Sequence, residues 1–124
     1  MRSNLEQAKE FRKIYNIKSS DSKPVRQYQC DLITEEFNEF IDAEGMLFRD
    51  SDKFKEECLK ELADLVYVCY QYAVNMGWDL DRALDLVHKS NMSKLDEDGK
   101  PIYREDGKIL KGPNYKKPNL HSLI

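Results

Sequence analysis

Glu35-Glu36-Phe37-Asn38-Glu39 and, about twenty residues on, Glu61-Leu62-Ala63-Asp64 decide how this chain folds. Both stretches sit inside long runs of helical period: Tyr28, Leu32, Ile33, Phe37, Phe40 and Ile41 around the first, Cys58, Leu62, Leu65, Val66, Cys69 and Tyr72 around the second. Residues three or four apart share a helix face, so Glu36 with Glu39 and Glu61 with Asp64 each make a paired acidic edge. Stepping from Leu32 by threes and fours reaches Glu36, Glu39 and then Ala43, while Glu61 lies one turn before Leu65 and Asp64 one turn before Val68. The acids therefore border the apolar stripes, where a merely solvated acidic face would lie farther round. Two such helices side by side would aim four carboxylates at one spot.

Between Asp31 and Glu44 there are six acids and no base. Like charges at helical spacing cost a few tenths of a kcal/mol per pair, so the pattern calls for a cation. Oxygen-only ligands favour Mg²⁺, Mn²⁺ or Ca²⁺ over zinc. A di-iron carboxylate bundle requires Glu-x-x-His on two helices, and neither His88 nor His121 stands at that spacing. Either acidic pair alone reads as a solvated face; the two together, each beside an apolar stripe, read as a metal site.

Working outward, Ser3-Asn4-Leu5-Glu6 has the form of a capping box opening a first helix to about Asn16, and Lys18 to Pro24 reads as loop. The second helix starts at Pro24 and is expected to end near Gly45 to Phe48. Asp50, Ser51 or Asp52 caps the third, which Gly77 stops, and Asp79 caps a fourth. Residues 1–95 then make a helical catalytic domain. Residues 96–124, with the turn dipeptides Asp98-Gly99 and Asp106-Gly107, form a short hairpin and irregular tail of the same domain. The fold class is all-α, a four-helix bundle with a C-terminal hairpin.

A chain of 124 residues with 40% apolar and 35% charged residues fits one globular domain. A net charge of −3 is too small to steer it as a whole to nucleic acid or membrane. No apolar run approaches a bilayer-spanning length, and the first residues do not read as a signal peptide. Cys30, Cys58 and Cys69 are an odd count without zinc spacing, so buried free thiols in a reducing cytoplasm are expected, of a cell or of a virus replicating in one. Lys89, Asn91 and Lys94 form a second constellation. Lysines at a helix C-terminus commonly complement the dipole, but Val87-Asn91-Lys94 continues the inward face of the fourth helix, which suggests phosphate oxygens or a sugar hydroxyl as targets.

Glu36-x-x-Glu39 and Glu61-x-x-Asp64, followed by Lys89-Ser90-Asn91-Met92-Ser93-Lys94, resemble the all-α nucleoside triphosphate pyrophosphohydrolases of the MazG type. The ending from Asp98 through Tyr115 resembles the tail of their compact single-domain members, often carried by phages. The likeness covers roughly residues 25 to 120. It implies a MazG-like helical protomer assembling as a homodimer or homotetramer, bound Mg²⁺ or Mn²⁺, and cleavage of a nucleoside triphosphate to monophosphate and pyrophosphate. Carried over residue by residue, it makes Glu36, Glu39, Glu61 and Asp64 metal ligands, with Glu36 also catalytic, and Lys89, Asn91 and Lys94 nucleotide contacts. Glu35 becomes a group that orients the attacking water. By analogy with phage relatives, a purine deoxynucleotide such as dGTP is the expected substrate. A dUTPase-like enzyme acting on a pyrimidine shares the four acids, and a helical interaction protein with a basic partner is the non-enzymatic alternative.

Overall fold

The computed structural model describes residues 2–124. It contains four α-helices, one short 3₁₀ turn and, among the described residues, no strand. The chain divides into two compact units, Met1–Trp78 and Asp79–Ile124.

The first unit holds α1 (Asn4–Ile14), α2 (Lys23–Arg49) and α3 (Ser51–Met76). The capping box begins as expected, with the Glu6 N–H donating to Ser3 Oγ at 3.1 Å. α1 ends at Ile14, two residues short of expectation, because Asn16 takes a left-handed φ of 55°. Ile17 N–H then returns to the Arg12 carbonyl at 2.8 Å and Asn16 N–H to the Lys13 carbonyl at 3.3 Å, a Schellman closure. α3 ends the same way at Gly77, whose φ of 75° no side-chain-bearing residue adopts cheaply.

α2 runs through Gly45 to Arg49, slightly past its expected end. One residue then finishes α2 and starts α3: Asp50 N–H donates to the Met46 carbonyl at 3.0 Å, while its carboxylate accepts from Lys53 N–H at 3.3 Å. A one-residue connection leaves two long helices no arrangement but an antiparallel hairpin. α2 packs along α3, and α1 packs on α3 as well.

The interior of this unit is unusual. Its buried apolar side chains are Ala8, Ala43, Cys58, Tyr70 and Ala73, whereas Arg12, Gln29, Glu61, Gln71 and Asn75 are buried polar groups. Large apolar side chains on α2 and α3 remain half exposed, among them Phe37 at 50%, Ile41 at 48%, Leu62 at 42% and Val66 at 45%. The cysteines are all free, but only Cys58 is buried; Cys30, expected inside, is exposed on α2.

The second unit holds α4 (Leu80–Met92), capped by Asp79, whose carboxylate accepts from Arg82 N–H at 2.9 Å. Beyond it, Arg104 and Lys108 pair around Asp106-Gly107, and Leu110 N–H reaches the Ile102 carbonyl at 2.8 Å. The expected hairpin therefore has its register but amounts to one isolated bridge, Tyr103 to Ile109. Two such short segments without a sheet or apolar face to join do not extend. The tail is strapped to α4: Ser90 Oγ donates to the Lys116 carbonyl at 2.7 Å, and Lys116 N–H donates to Ser93 Oγ at 2.9 Å. Gly112 lies against the Leu95 carbonyl with no room for a Cβ.

Gly112→Ala is accordingly expected to loosen this strap at a cost of about 1–3 kcal/mol, the usual penalty for overpacking. Amide hydrogen exchange should speed up at Lys116 and along the last turn of α4 while α2 and α3 keep their protection; unchanged exchange at Lys116 would refute the close approach.

Candidate metal centre

The hairpin geometry explains how residues far apart in sequence meet. Glu39 is the eleventh residue before Asp50 and Glu61 the eleventh after; Glu36 and Asp64 are each the fourteenth. In an antiparallel pair folded at Asp50, equal separations along the two helices stand level. Carboxylate oxygens of Glu36, Glu39 and Glu61 accordingly lie within 4.8 Å of one another. Ligands on opposite sides of a Mg²⁺ or Ca²⁺ ion stand about 4 to 5 Å apart, twice the metal–oxygen distance, so this is cation spacing.

Asp64 lies near enough to repel Glu36 but falls outside that set; its Oδ2 is 3.0 Å from Lys60 Nζ. Lys60 also reaches Glu61 Oε1 at 3.4 Å. These hydrogen bonds hold the Lys60 ammonium above the ordinary lysine range. Its side chain is 64% exposed, and an exposed pair of this kind contributes about 0–1 kcal/mol. It leaves the inner oxygens untouched: Glu36 Oε2 and Glu61 Oε2 are buried and have no hydrogen-bond partner. Sequence reasoning passed over Lys60, although its i,i+4 spacing to Asp64 was readable.

Burial, a hydrogen bond to Glu39 and repulsion from Glu39, Asp64 and Glu61 push Glu36 up to about 7. A half-buried carboxylate crowded by other acids, with a buried oxygen that meets no donor, is suited to a cation. Beside the cluster, a cavity of about 380 Å³ is lined by Glu39, Asp42, Glu57 and Glu61 among others, and among the described residues no basic side chain lines it. The donor set is all oxygen and all acidic, which suits Mg²⁺ or Mn²⁺.

The other candidates are placed differently. Glu35 is exposed on α2, one residue and so about 100° round from Glu36. In the second unit, Lys89 is exposed and pairs with Asp85 at 3.4 Å. Asn91, expected on the inner face of α4, is exposed; Ser90 takes the buried position because its hydroxyl ties down the tail. Lys94 lies beyond the Ser93 cap and is half-buried.

With four helices and no strand among the described residues, and a carboxylate cluster between two of those helices, the chain belongs to the class of all-α nucleotide pyrophosphohydrolases. Within that class the chain belongs to the phosphoribosyl-ATP pyrophosphohydrolase family, whose model matches residues 4–91. No curated protein matches the chain. Membership makes it a hydrolase of phosphoric anhydrides in a family that depends on divalent metal. Among the described residues, no helix is long and apolar enough to cross a membrane.

Glu36 gives the metal-free protein a pH signature. Its folded pKa stands above the ordinary 4.5, so the stabilising proton is fully present below pH 4.5 and is lost as pH rises through about 7. Thermal melts in EDTA should show Tm falling across that window. Mn²⁺ or Mg²⁺ should restore it at pH 8, and Glu36→Gln should remove both the slope and most of the metal response. A wild-type Tm that ignores millimolar Mn²⁺ would rule out the site.

Proposed function

We propose that this chain is a MazG-type nucleoside triphosphate pyrophosphohydrolase, dependent on Mg²⁺ or Mn²⁺, that converts a deoxynucleoside triphosphate to the monophosphate and pyrophosphate. A purine such as dGTP is the proposed substrate. The observation that carries the reading is the pair of buried carboxylate oxygens, Glu36 Oε2 and Glu61 Oε2, that meet no donor, in side chains that with Glu39 bring oxygens within 4.8 Å of one another. Such groups are rare in folded proteins because each costs stability, and divalent metal relieves both at once.

Glu36, Glu39, Glu61 and Asp64 would hold the ions. When bound, the metal neutralises the triphosphate and lowers the pKa of an attacking water. Lys60, which pairs with Glu61 and Asp64 on the rim, would be available to the phosphates were those two acids engaged by the ion. Glu35 is proposed to orient the water, and Lys89, Asn91 and Lys94 to contact the nucleotide. The family supplies a second reading, phosphoribosyl-ATP, in which the same residues would serve the same cleavage.

The half-exposed Phe37, Ile41, Leu62 and Val66 support assembly as a homodimer or homotetramer. Light scattering should give at least twice the 14.6 kDa chain mass, and Val66→Asp should shift it towards one chain; a wild-type monomer at micromolar concentration would sink this part.

Pyrophosphate release measured over the common and deoxynucleoside triphosphates, together with phosphoribosyl-ATP, tests the activity. Glu36→Gln and Asp64→Asn should each lower kcat/KM by about 100-fold or more, since each removes a ligand of a charge worth several kcal/mol in the transition state. Turnover unchanged in both variants, or equal with and without metal, would refute the assignment.

A further inference from the structure

The last stretch of the chain carries charge that its own unit does not balance. From Gly107 to Ile124 there are four lysines, Lys108, Lys111, Lys116 and Lys117, and no acid. The acids before that stretch are committed elsewhere. Asp79 caps α4, Asp85 takes Arg82 and Lys89, Asp96 accepts from the Asp98 and Lys100 N–H groups at 2.9 and 2.8 Å, and Asp106 holds Arg104. Glu97, Asp98 and Glu105 are exposed on the turns. Among the described residues, Lys94, Lys111, Lys116 and Lys117 form no ion pair, although Lys94 is half-buried.

These lysines stand on backbone that is fastened in place. Ser90 is 6% exposed, and its Oγ donates to the Lys116 carbonyl at 2.7 Å. Lys116 N–H donates to Ser93 Oγ at 2.9 Å, which donates in turn to the Ser90 carbonyl at 2.6 Å. Gly112 lies against the Lys94 and Leu95 carbonyls, so the backbones of Lys94 and Lys111 are neighbours. Tyr115 N–H returns to the Gly112 carbonyl at 3.2 Å, and the Lys111 ammonium stands 4.8 Å from the centre of the Tyr115 ring. That cation–π contact restrains an otherwise flexible side chain. Lys94, Lys111 and Lys116 are thus brought to one crossing of the tail over the end of α4, with Lys117 next in the chain.

A helix C-terminus attracts positive charge, but its dipole amounts to about half an elementary charge, and Lys89 already occupies the last turn. The further lysines exceed that need. Burial does not account for them either, since Lys111, Lys116 and Lys117 are exposed. What they lack is an anion of several charges. The Arg104 fork is engaged by Asp106, so the crossing offers point charges and no bidentate partner. Lysines on separate pieces of backbone suit a chain of phosphates better than a single planar carboxylate. Tyr115, the aromatic ring at the crossing, is half-buried with Lys111 over it, so the bases of a single-stranded nucleic acid find no stacking platform there.

We infer that this crossing is a polyphosphate site, in which Lys94, Lys111, Lys116 and Lys117 hold adjoining phosphate groups of one ligand. The ligand is the triphosphate chain of the substrate or the pyrophosphate released from it; the two share the phosphoanhydride chemistry that the lysines meet. Lys111, Lys116 and Lys117 then join Lys94 as phosphate contacts, and the tail takes part in binding. The inference deepens the proposed function by giving the tail a ligand, and rests on that reading for the identity of the anion.

Calorimetric titration in EDTA isolates the crossing, because the carboxylate cluster without metal repels anions. At low salt, tripolyphosphate or pyrophosphate should bind about tenfold tighter than orthophosphate, tripolyphosphate ranking first if the site serves the substrate and pyrophosphate first if it serves the product. Lys116→Gln combined with Lys117→Gln should weaken the tighter ligand by about tenfold, while the Mn²⁺ response in thermal melts persists. Lys9→Gln combined with Lys13→Gln removes the same charge from exposed positions on α1 and should change binding by less than about threefold. Ser90→Ala, shown folded by circular dichroism, keeps every charge and should also weaken binding, because it unfastens Lys116. Equal loss in the two double variants would reduce the effect to diffuse attraction and overturn the site. Equal binding of the three anions, or tighter binding of oligothymidylate than of tripolyphosphate, would overturn it too. Tripolyphosphate binding without pyrophosphate release from any triphosphate would refute the catalytic reading and leave the site standing. Metal-dependent turnover with an unchanged KM in the Lys116 and Lys117 double variant would do the reverse.

Discussion

The level register of α2 and α3 about Asp50 is the constraint on which the rest depends. Because one residue turns the chain, helices of 27 and 26 residues must run back along each other, and any feature placed symmetrically about the turn is brought together. Glu39 stands level with Glu61 and Glu36 with Asp64, and farther out Leu32 with Val68 and Gln29 with Gln71. Packing holds the acids at a spacing their own charges oppose. Burial first, then the hydrogen bond to Glu39 and repulsion from Glu39, Asp64 and Glu61, keeps the Glu36 proton to about 7. The fold stores an affinity for positive charge and meets it only in part, through Lys60 on the rim.

Much of this was readable in the residues themselves. The four helices, the caps Ser3, Asp50 and Asp79, and the stop at Gly77 are local signals, set by side-chain hydrogen bonds and by backbone conformation that few residues tolerate. The meeting of Glu36, Glu39 and Glu61 followed from period and pairing. Asn16 in the left-handed region was not foreseen, because there a marginal local preference is decided by what packs around it, whereas α2 passes its expected end at Gly45 to Phe48 by one residue only.

The polar interior was legible least. Arg12, Gln29, Gln71 and Asn75 each look like ordinary surface residues of amphipathic helices, and only their convergence from α1, α2 and α3 shows them to be one network. Nothing in a helical period says that a polar residue will be satisfied by another sixty positions away. Asn91 misled for the converse reason: the period put it inward, but Ser90 won the buried position through its hydrogen bond to the tail.

The distribution of burial then takes on a physical sense. A three-helix unit whose buried apolar side chains include three alanines, and whose interior holds a guanidinium and three amides, gains little from the hydrophobic effect. Repacking that interior with aliphatic side chains would raise stability, as replacing buried polar groups by well-packed apolar ones commonly does. What the polar version retains is directional: the buried, donorless oxygens of Glu36 and Glu61, on helices of 27 and 26 residues turned about one residue. Unmet acceptors on such a frame favour a partner that satisfies them together, so stability absent from the free chain is available to whatever cation meets both oxygens.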